Sequence, residues 1–286
     1  MEAVIKSVNF KGSFSDFLNF LRTDPQFYAT TSKDLLKEAS YIAKRIDAKL
    51  PTLFNKLPRL PYGVAPVPED LAPKYTGGRY VGPAEGSKEP GYYWVNTYKL
   101  DVRPLYNLEA LTLHEGVPGH HLQNSIASEI DDLPEFRKDL YLSAFGEGWG
   151  LYSEYLGIEA GFYTDPYSNF GRLTYEMWRA CRLVVDTGIH AMGWSRQRVI
   201  NYLSDNTALP IHECTTETDR YIAWPGQALS YKIGELKIKE LRKFAEKELG
   251  KEFDVRNFHD TVLGSGSVPL NILEDQVKDW VASQKN

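Results

Sequence analysis

The segment His114-Glu115-Gly116-Val117-Pro118-Gly119-His120-His121 holds three of the chain's six histidines within eight positions. Neutral imidazole is the commonest metal ligand in proteins, and a glutamate directly after the first histidine is the arrangement that zinc peptidases use. In the usual HExxH helix the two histidines are four residues apart and reach one metal from the same face. The segment therefore predicts a metal site built on a helix.

The spacing between His114 and His120 is six residues, which an undistorted helix cannot accommodate. On such a helix the two side chains would lie roughly 9 Å apart along the axis and on different sides. Pro118 removes an intrahelical hydrogen bond and Gly119 permits unusual dihedral angles, so the backbone can bulge and return the second histidine to the metal. The alternative interpretation is a proline-kinked helix that carries surface histidines.

The best candidate for a third metal ligand is Glu147, in FGEGWGLYSE at positions 145–154. A catalytic zinc site has three protein ligands and leaves a fourth position for water. Glycines flank Glu147, so another backbone can approach it closely, and its apolar neighbours disfavour a solvated acid. Glu154 lies on the same helix face about 10 Å further along, where we expect it to support the site or the fold.

The rest of the chain is predominantly helical in its apolar pattern. Prolines and glycines interrupt regular structure between about positions 51 and 90, and the aromatic, β-branched stretch Gly91–Tyr98 is the best strand candidate. We expect a mainly α fold with a small β-sheet next to the motif helix. Residues 1–75 would form a helical, coil-rich segment and residues 76–286 a metal-binding helical domain. Helices are predicted at Ser15–Leu21, Ser32–Lys49, Asn107–His114, Phe136–Gly157, Tyr167–Met192, Ser195–Asn206, Ile211–Ile222, Gln227–Leu249 and Asn271–Ser283.

Composition excludes several classes of protein. The 286 residues are 42% hydrophobic and 25% charged, as in globular proteins, and the net charge of −5 argues against nucleic acid or an anionic membrane as the main partner. The two cysteines, Cys181 and Cys214, form no CxxC motif for a thiolate zinc site. No apolar run of about 18 residues predicts a membrane span, and no targeting segment is visible, so we expect a soluble chain. Compartment and oligomeric state stay open.

Four ordered blocks give the chain a resemblance to the bacterial domain-of-unknown-function family DUF885. They are LHEGVPGHHLQ (113–123), FGEGWGLYSEYLG (145–157), RLTYEMWRACRLVVDTGIHAMGWS (172–195) and DRYIAWPGQALSYKIGELK (219–237). The resemblance covers roughly residues 70–282. It implies a zincin-like metallopeptidase fold, and because members of the family are commonly about twice as long, the chain looks like their C-terminal, metal-bearing portion.

Two more distant resemblances imply roles for the candidate ligands. Glu147-Gly148-Trp149 with Tyr152 and Glu154 is similar to the NEGWAxYxE segment of aminopeptidase N-like enzymes, whose first glutamate is the third zinc ligand. Gly119-His120-His121-Leu122 is similar to the GHAL that ends the motif helix of oligopeptidases, which favours His120 as the second ligand. Because the spacing here is longer, His121 is kept as the alternative.

The expected chemistry follows from one zinc ion held by these ligands. Glu115, next to a ligand but facing the open side, would take the proton of the zinc-activated water and pass it to the leaving amine. Tyr231 is the first choice to donate to the developing oxyanion, because zincins often use a tyrosine from a downstream helix. His190 is the second choice. The alternative for both residues is a packing role in the core.

Substrate contacts are expected from a strand and from two cations. The strand Tyr92–Thr97 precedes the motif helix, and as an edge strand it would pair with extended peptide, with Tyr93 and Trp94 contacting the substrate. Arg220 or Lys232 would hold a substrate carboxylate. For Lys232 a solvated surface charge is the favoured alternative.

The leading hypothesis is a zinc metallopeptidase that hydrolyses short peptides. The alternatives are a non-catalytic, metal-binding helical module and a zinc hydrolase of a non-peptide amide or ester. Glu115 disfavours the non-catalytic module, because a purely structural zinc site needs no general base and usually closes with four protein ligands.

Overall fold

A computed structural model describes residues 1–84, 87–138 and 140–285. The fold is mainly helical with one small sheet, which confirms the predicted fold class. The helices are α1 (Glu2–Ser7), α2 (Phe14–Thr23), α3 (Ser32–Asp47), α4 (Leu50–Leu53), α5 (Leu108–Glu115), α6 (His120–Ser128), α7 (Glu135–Lys138), α8 (Ser143–Glu159), α9 (Pro166–Met192), α10 (Arg196–Asn206), α11 (Ile211–Ala223), α12 (Ser230–Leu249), α13 (Val255–Leu263) and α14 (Leu270–Gln284). The strands are β1 (Tyr62–Pro66), β2 (Gly78–Val81) and β3 (Gly91–Val95).

The helices differ from the prediction in several places, and α1, α4 and α6 were not predicted as helices of their own. The helix predicted over Phe136–Gly157 is two helices, α7 and α8, and position 139 within it lies outside the described residues. The predicted start at Gln227 is a single 3₁₀ turn, and α12 begins at Ser230. Helix α13 is absent from the prediction, although its start has an ordinary N-cap in Asp254, whose side chain accepts the Arg256 N–H.

The sheet places the predicted strand at its centre. β3 pairs in parallel with β1, Tyr62 lying opposite Gly91, and antiparallel with β2, Gly78 lying opposite Val95. The strand order is therefore β1-β3-β2. The expectation that the strand at Tyr92–Thr97 lies at an edge is wrong, because both of its sides are already paired.

Helices α8 and α12 cross in close contact beside the site. A Cβ atom on Gly148 would lie 2.5 Å from the Cα of Gly234, so only glycine fits at this crossing. Trp149 and Tyr152 on α8 and Leu113 on α5 are fully buried in the same core. The glycine-rich sequence around Glu147 thus lets α8 pass between α5 and α12.

The N-terminal helices pack against α9 in a second hydrophobic cluster. A second cluster of buried aromatic side chains, including Phe17 and Phe27, packs the N-terminal helices against Phe170 of α9. Among the described helices, none is long and apolar enough to cross a lipid bilayer.

Candidate metal centre

The motif helix breaks between its two histidines, as the spacing predicted. Helix α5 ends at Glu115, and α6 begins at His120. Between them the Val117–Pro118 peptide is cis, and the carbonyl of Pro118 accepts the indole N–H of Trp149 at 2.8 Å. The backbone of Gly119 lies against the carbonyl of His114, where a Cβ atom would overlap it. The break is therefore fixed by packing on both sides.

This break brings His114, His120 and Glu147 together. One donor atom from each residue lies within 4.8 Å of the others. The Nε2 atoms of His120 and His114 are 3.2 Å and 3.5 Å from the same oxygen of Glu147, and the two imidazole rings meet edge to face at 4.8 Å. The two histidines and one glutamate predicted from the sequence thus form one cluster.

Charges within this cluster reinforce one another. Burial would raise the pKa of Glu147, but His120 and His114 hold it well below its ordinary value, so the carboxylate is ionised. Burial would lower the pKa of His114, yet Glu147 and Glu154 raise it to about 10. Buried negative charge is therefore concentrated around the imidazoles, which suits a cation.

His114 is oriented from behind by α8 and α9. Its Nδ1 atom lies 2.8 Å from an oxygen of Glu154, and Arg179 donates to that same oxygen at 2.9 Å. Because a carboxylate only accepts, Nδ1 carries the proton and Nε2 faces Glu147. Glu154 therefore bonds directly to His114, one of the three residues of the cluster.

His121 lies outside the cluster. Its Nε2 donates to the carbonyl of Leu60 at 3.0 Å, and its Nδ1 lies 3.1 Å from the hydroxyl of Tyr80. Burial lowers its pKa to about 4, so the ring is neutral. With both nitrogens engaged elsewhere, His121 does not offer a ligand atom to the cluster, and the geometry favours His120.

Glu115 faces the same cleft as the cluster but is not part of it. Its side chain is 8% exposed, and one carboxylate oxygen accepts the backbone N–H of Tyr80 at 2.7 Å. Tyr80 belongs to β2, whose residues line the cleft together with Glu115 and His114. The glutamate is therefore bonded to the edge strand of the sheet and directly follows His114 of the cluster.

The cleft has a volume of about 960 Å³ and is lined by residues from helices and sheet. Tyr231 lies on one side, its ring stacked 6.0 Å from that of His114. Gln227 donates to the Tyr231 hydroxyl at 3.3 Å and approaches Glu147 at 3.4 Å. Tyr141, which precedes α8, also lines the cleft with Glu147. No motif in the sequence singled out Tyr141, because it lies in a connection with no periodic pattern.

Two predicted residues do not reach the cleft. The His190 Nε2 donates to the carbonyl of Tyr221 at 2.9 Å, and its side chain is not among the cleft's lining groups, so its role as oxyanion donor is wrong. Tyr93 is fully buried, with its hydroxyl 3.4 Å from that of Thr112, and it cannot contact a substrate. The cause is its inward position on the central strand.

The other three residues predicted to contact substrate are Trp94, Arg220 and Lys232. Trp94 and Arg220 line the cleft. Lys232 instead forms ion pairs with Glu176 at 3.1 Å and Glu235 at 3.0 Å. Whether Trp94 and Arg220 bind substrate stays a prediction.

Comparison with known proteins gives a family and two solved folds. The family described as "Bacterial protein of unknown function (DUF885)" matches residues 1–277. In sequence, the chain is 36% identical to "the putative lipoprotein from Colwellia psychrerythraea". The crystal structure of that protein superposes with a TM-score of 0.94 over 98% of this chain and 49% of that one. A "putative lipoprotein of unknown function from Shewanella oneidensis" is 20% identical and shares the fold, with a TM-score of 0.78 over 95% of this chain and 51% of that one.

The chain thus spans about half the length of these two structures. No curated protein matches it. Because the family match extends over nearly all of the sequence, the chain belongs to the bacterial family DUF885.

Proposed function

We propose that the chain is a zinc-dependent hydrolase whose substrates are short peptides. The observation that carries the proposal is the convergence of His114, His120 and Glu147, with donor atoms within 4.8 Å of one another. They line an open cleft that also holds Glu115. Three ligands with a separate carboxylate beside them match a catalytic zinc site better than a closed structural one.

The donor set fits zinc. Two imidazoles and one carboxylate are the ligands of thermolysin-type sites, whereas calcium and magnesium prefer oxygen donors alone. The hydrogen bond from His114 Nδ1 to Glu154 leaves Nε2 for the metal, as metal-bound histidines usually require. When bound, zinc supplies Lewis-acid chemistry and lowers the pKa of a coordinated water.

Glu115 is suited to move the proton. The Tyr80 N–H holds one of its oxygens at 2.7 Å, which fixes the carboxylate while the other oxygen is left to accept a proton from water. The same group would then pass that proton to the leaving amine. Tyr231 and Tyr141, both in the cleft, would donate to the oxygen that gains negative charge.

A peptide substrate is favoured by the position of β2. It is an edge strand of the sheet, and residues from Gly78 to Val81 line the cleft. An exposed strand edge can pair with an extended peptide through backbone hydrogen bonds. The role that the sequence suggested for the Tyr92–Thr97 strand is therefore transferred to β2.

The relation to zincin-like peptidases is part of this proposal and rests on the same cluster. The chain spans about half of its solved relatives, and we propose that it corresponds to their metal-bearing portion. The cleft of about 960 Å³ accommodates a few residues of peptide, which favours short substrates over folded proteins.

The test combines metal content with turnover. The purified chain, loaded with zinc and freed of excess, is expected to hold one ion and to cleave members of a mixed peptide library, with cleavage abolished by a chelator and restored by zinc. Glu115→Gln should keep the ion and lose cleavage. One bound zinc with no cleavage of peptides, but cleavage of aryl esters or non-peptide amides, would support the alternative hydrolase. One zinc and no turnover of any substrate would support the non-catalytic module.

A further inference from the structure

A group of buried arginines faces the cleft on the side of Tyr231. Arg182 is 1% exposed and its guanidinium carbon lies 4.1 Å from the ring of Trp178 and 4.2 Å from that of Tyr231. Arg220 lines the same cleft with 29% of its side chain exposed. The aromatic rings are favourable neighbours for a guanidinium, but a second guanidinium close by is unfavourable unless an anion offsets the charge.

Arg182 and Arg220 share a single carboxylate as their ion-pair partner. Both donate to one oxygen of Glu217, each at 2.7 Å. Burial would raise the pKa of Glu217, but Arg220 and Arg182 hold it below its ordinary value, so the carboxylate is already ionised. Two guanidiniums on a single carboxylate therefore leave one positive charge without an ion-pair partner of its own.

Other than Glu217, neighbouring acids form no ion pair with Arg182 or Arg220 in the part of the chain that the structure describes. Asp186, which is buried on α9, accepts the backbone N–H of Gly226 instead. Arg179, another arginine of the cleft, has its own partner in Glu154 at 2.9 Å. Asp219 also lines the cleft, but Arg196 on the outer surface takes both of its oxygens, at 2.6 Å and 2.9 Å. A zinc ion at the cluster would add further positive charge to the cleft. The local field thus favours an anionic ligand.

Donor atoms of the same pair are unused. The Nη1 of Arg182 and the Nε of Arg220 are buried and have no hydrogen-bond partner in the part of the chain that the structure describes. The contact of Arg220 Nη1 with the side-chain oxygen of Gln227 is long, at 3.4 Å. A carboxylate could replace that contact and engage the fork of Arg220, since planar guanidinium matches carboxylate geometry.

We propose that Arg220, backed by Arg182, is a carboxylate-binding subsite, so that this enzyme acts on peptides that present a free carboxylate close to the bond being cleaved. The proposal rests on the proposed peptidase function. Tyr231 links the two sites, because its ring lies 6.0 Å from that of His114 and 4.2 Å from the Arg182 guanidinium. An extended peptide advances about 3.3 Å per residue, so the carboxylate belongs to a residue within a few positions of the bond.

Such a carboxylate has two sources, the C-terminus of the peptide and an acidic side chain. Three fluorescent probes of equal length separate them: a tetrapeptide ending in Ala-Ala with a free acid, the same peptide with a C-terminal amide, and an amidated peptide with aspartate at its last position. Binding is measured on the zinc-loaded Glu115→Gln protein, so that turnover does not interfere. Cleavage of the same peptides is measured with the wild-type protein.

The expected result is that the free acid binds about 10- to 100-fold more tightly than the amide, the range for one charge-assisted hydrogen-bonded pair. If only the free-acid peptide binds tightly, the subsite recognises the C-terminal carboxylate. If the amidated aspartate peptide binds as tightly as the free acid, the subsite accepts a carboxylate from either source. Arg220→Gln should remove the preference, and Arg220→Lys should restore only part of it. Arg256→Gln, on α13 and outside the cleft, is the matched control and should keep the full preference.

Failure of this proposal is separable from failure of the peptidase proposal. Cleavage of all three peptides at similar rates, with no difference in binding, would overturn the carboxylate subsite and leave the peptidase intact. A binding preference that disappears in Arg220→Gln, without cleavage in the wild-type protein, would support the subsite and overturn the peptidase. A preference that persists in a folded Arg220→Gln protein would overturn the assignment to this pair. Circular dichroism establishes the folding of each variant.

Discussion

The Nδ1 atom of His114 lies 2.8 Å from a carboxylate oxygen of Glu154, which is buried on the neighbouring helix α8. Arg179 donates to the same oxygen from α9, at 2.9 Å. Three helices thus meet behind one imidazole and fix both its orientation and the position of its proton. His114 is the residue through which the helical core determines the geometry of the His114-His120-Glu147 cluster.

Replacing Glu154 by glutamine should weaken zinc binding without removing any ligand. The imidazole would lose a charged acceptor that holds its ring and raises its basicity, and loss of such a partner typically lowers metal affinity about 10- to 100-fold. Competition with a chromophoric chelator measures the change. Glu159→Gln, on the same helix but paired with Arg242 near the surface, is the control. Equal zinc affinity in the Glu154 and Glu159 variants would contradict the positioning role.

His120 and His121 are adjacent in sequence, and their alanine variants should differ sharply. His120→Ala removes a donor atom that lies 3.2 Å from Glu147, so the protein should no longer hold zinc in stoichiometric amount. His121→Ala should keep the ion, because that ring is bonded to Leu60 and Tyr80 instead. Metal analysis after gel filtration distinguishes the two variants. Full zinc content in His120→Ala, with loss in His121→Ala, would reverse the assignment.

Glu115→Gln should separate metal binding from catalysis. The amide oxygen can still accept the Tyr80 N–H, so the local fold should persist, but the side chain no longer takes a proton. We expect full zinc content and peptide cleavage at least about 100-fold slower, the lower end for loss of a general base. Near wild-type turnover would show that another group moves the proton.

The helix break at Pro118 and Gly119 should be required for the metal site. Alanine at both positions restores helical propensity, and a Cβ at 119 would collide with the carbonyl of His114. The backbone would have to shift, carrying His120 away from Glu147. Zinc affinity should fall by about tenfold or more, whereas Pro25→Ala, in the 3₁₀ turn Pro25–Phe27 of the N-terminal segment, should leave it unchanged. Wild-type affinity in the double variant would show that the break does not determine the site.

Much of the candidate metal site was predictable because its signals are local. His114, Glu115 and Glu147 each lie in a short motif whose residue types already specify the chemistry, and the six-residue spacing required a break that Pro118 and Gly119 could provide. His120 and His121 were harder to separate. A one-residue difference on a broken helix depends on where α6 resumes, and packing of Trp149 on the break helps to decide that point.

Other features depended on contacts between distant segments. The strand containing Tyr93 was recognised from its composition, but its central place in the sheet depends on β1 and β2, which pair with it from elsewhere in the chain. His190 carries no sequence signal that its ring would turn to the Tyr221 carbonyl. The excess charge at Arg182 and Arg220 is likewise visible only when α9 and α11 come together around Glu217.

His259 should make the fold sensitive to acid. Its ring is fully buried, donating through Nδ1 to the Leu53 carbonyl at 2.8 Å and accepting the Tyr152 hydroxyl at 2.9 Å. Burial lowers its pKa to about 3, against about 6.5 in the unfolded chain. Between these two values the unfolded chain binds the extra proton, so stability falls as the pH falls, by about 2 kcal/mol from pH 7 to pH 5. The amide of His259→Asn can still donate to Leu53 but does not titrate. Between pH 7 and pH 5 its free energy of unfolding, measured with urea, should therefore fall by about 2 kcal/mol less than that of the wild-type protein. An identical loss in both proteins would show that His259 is not responsible.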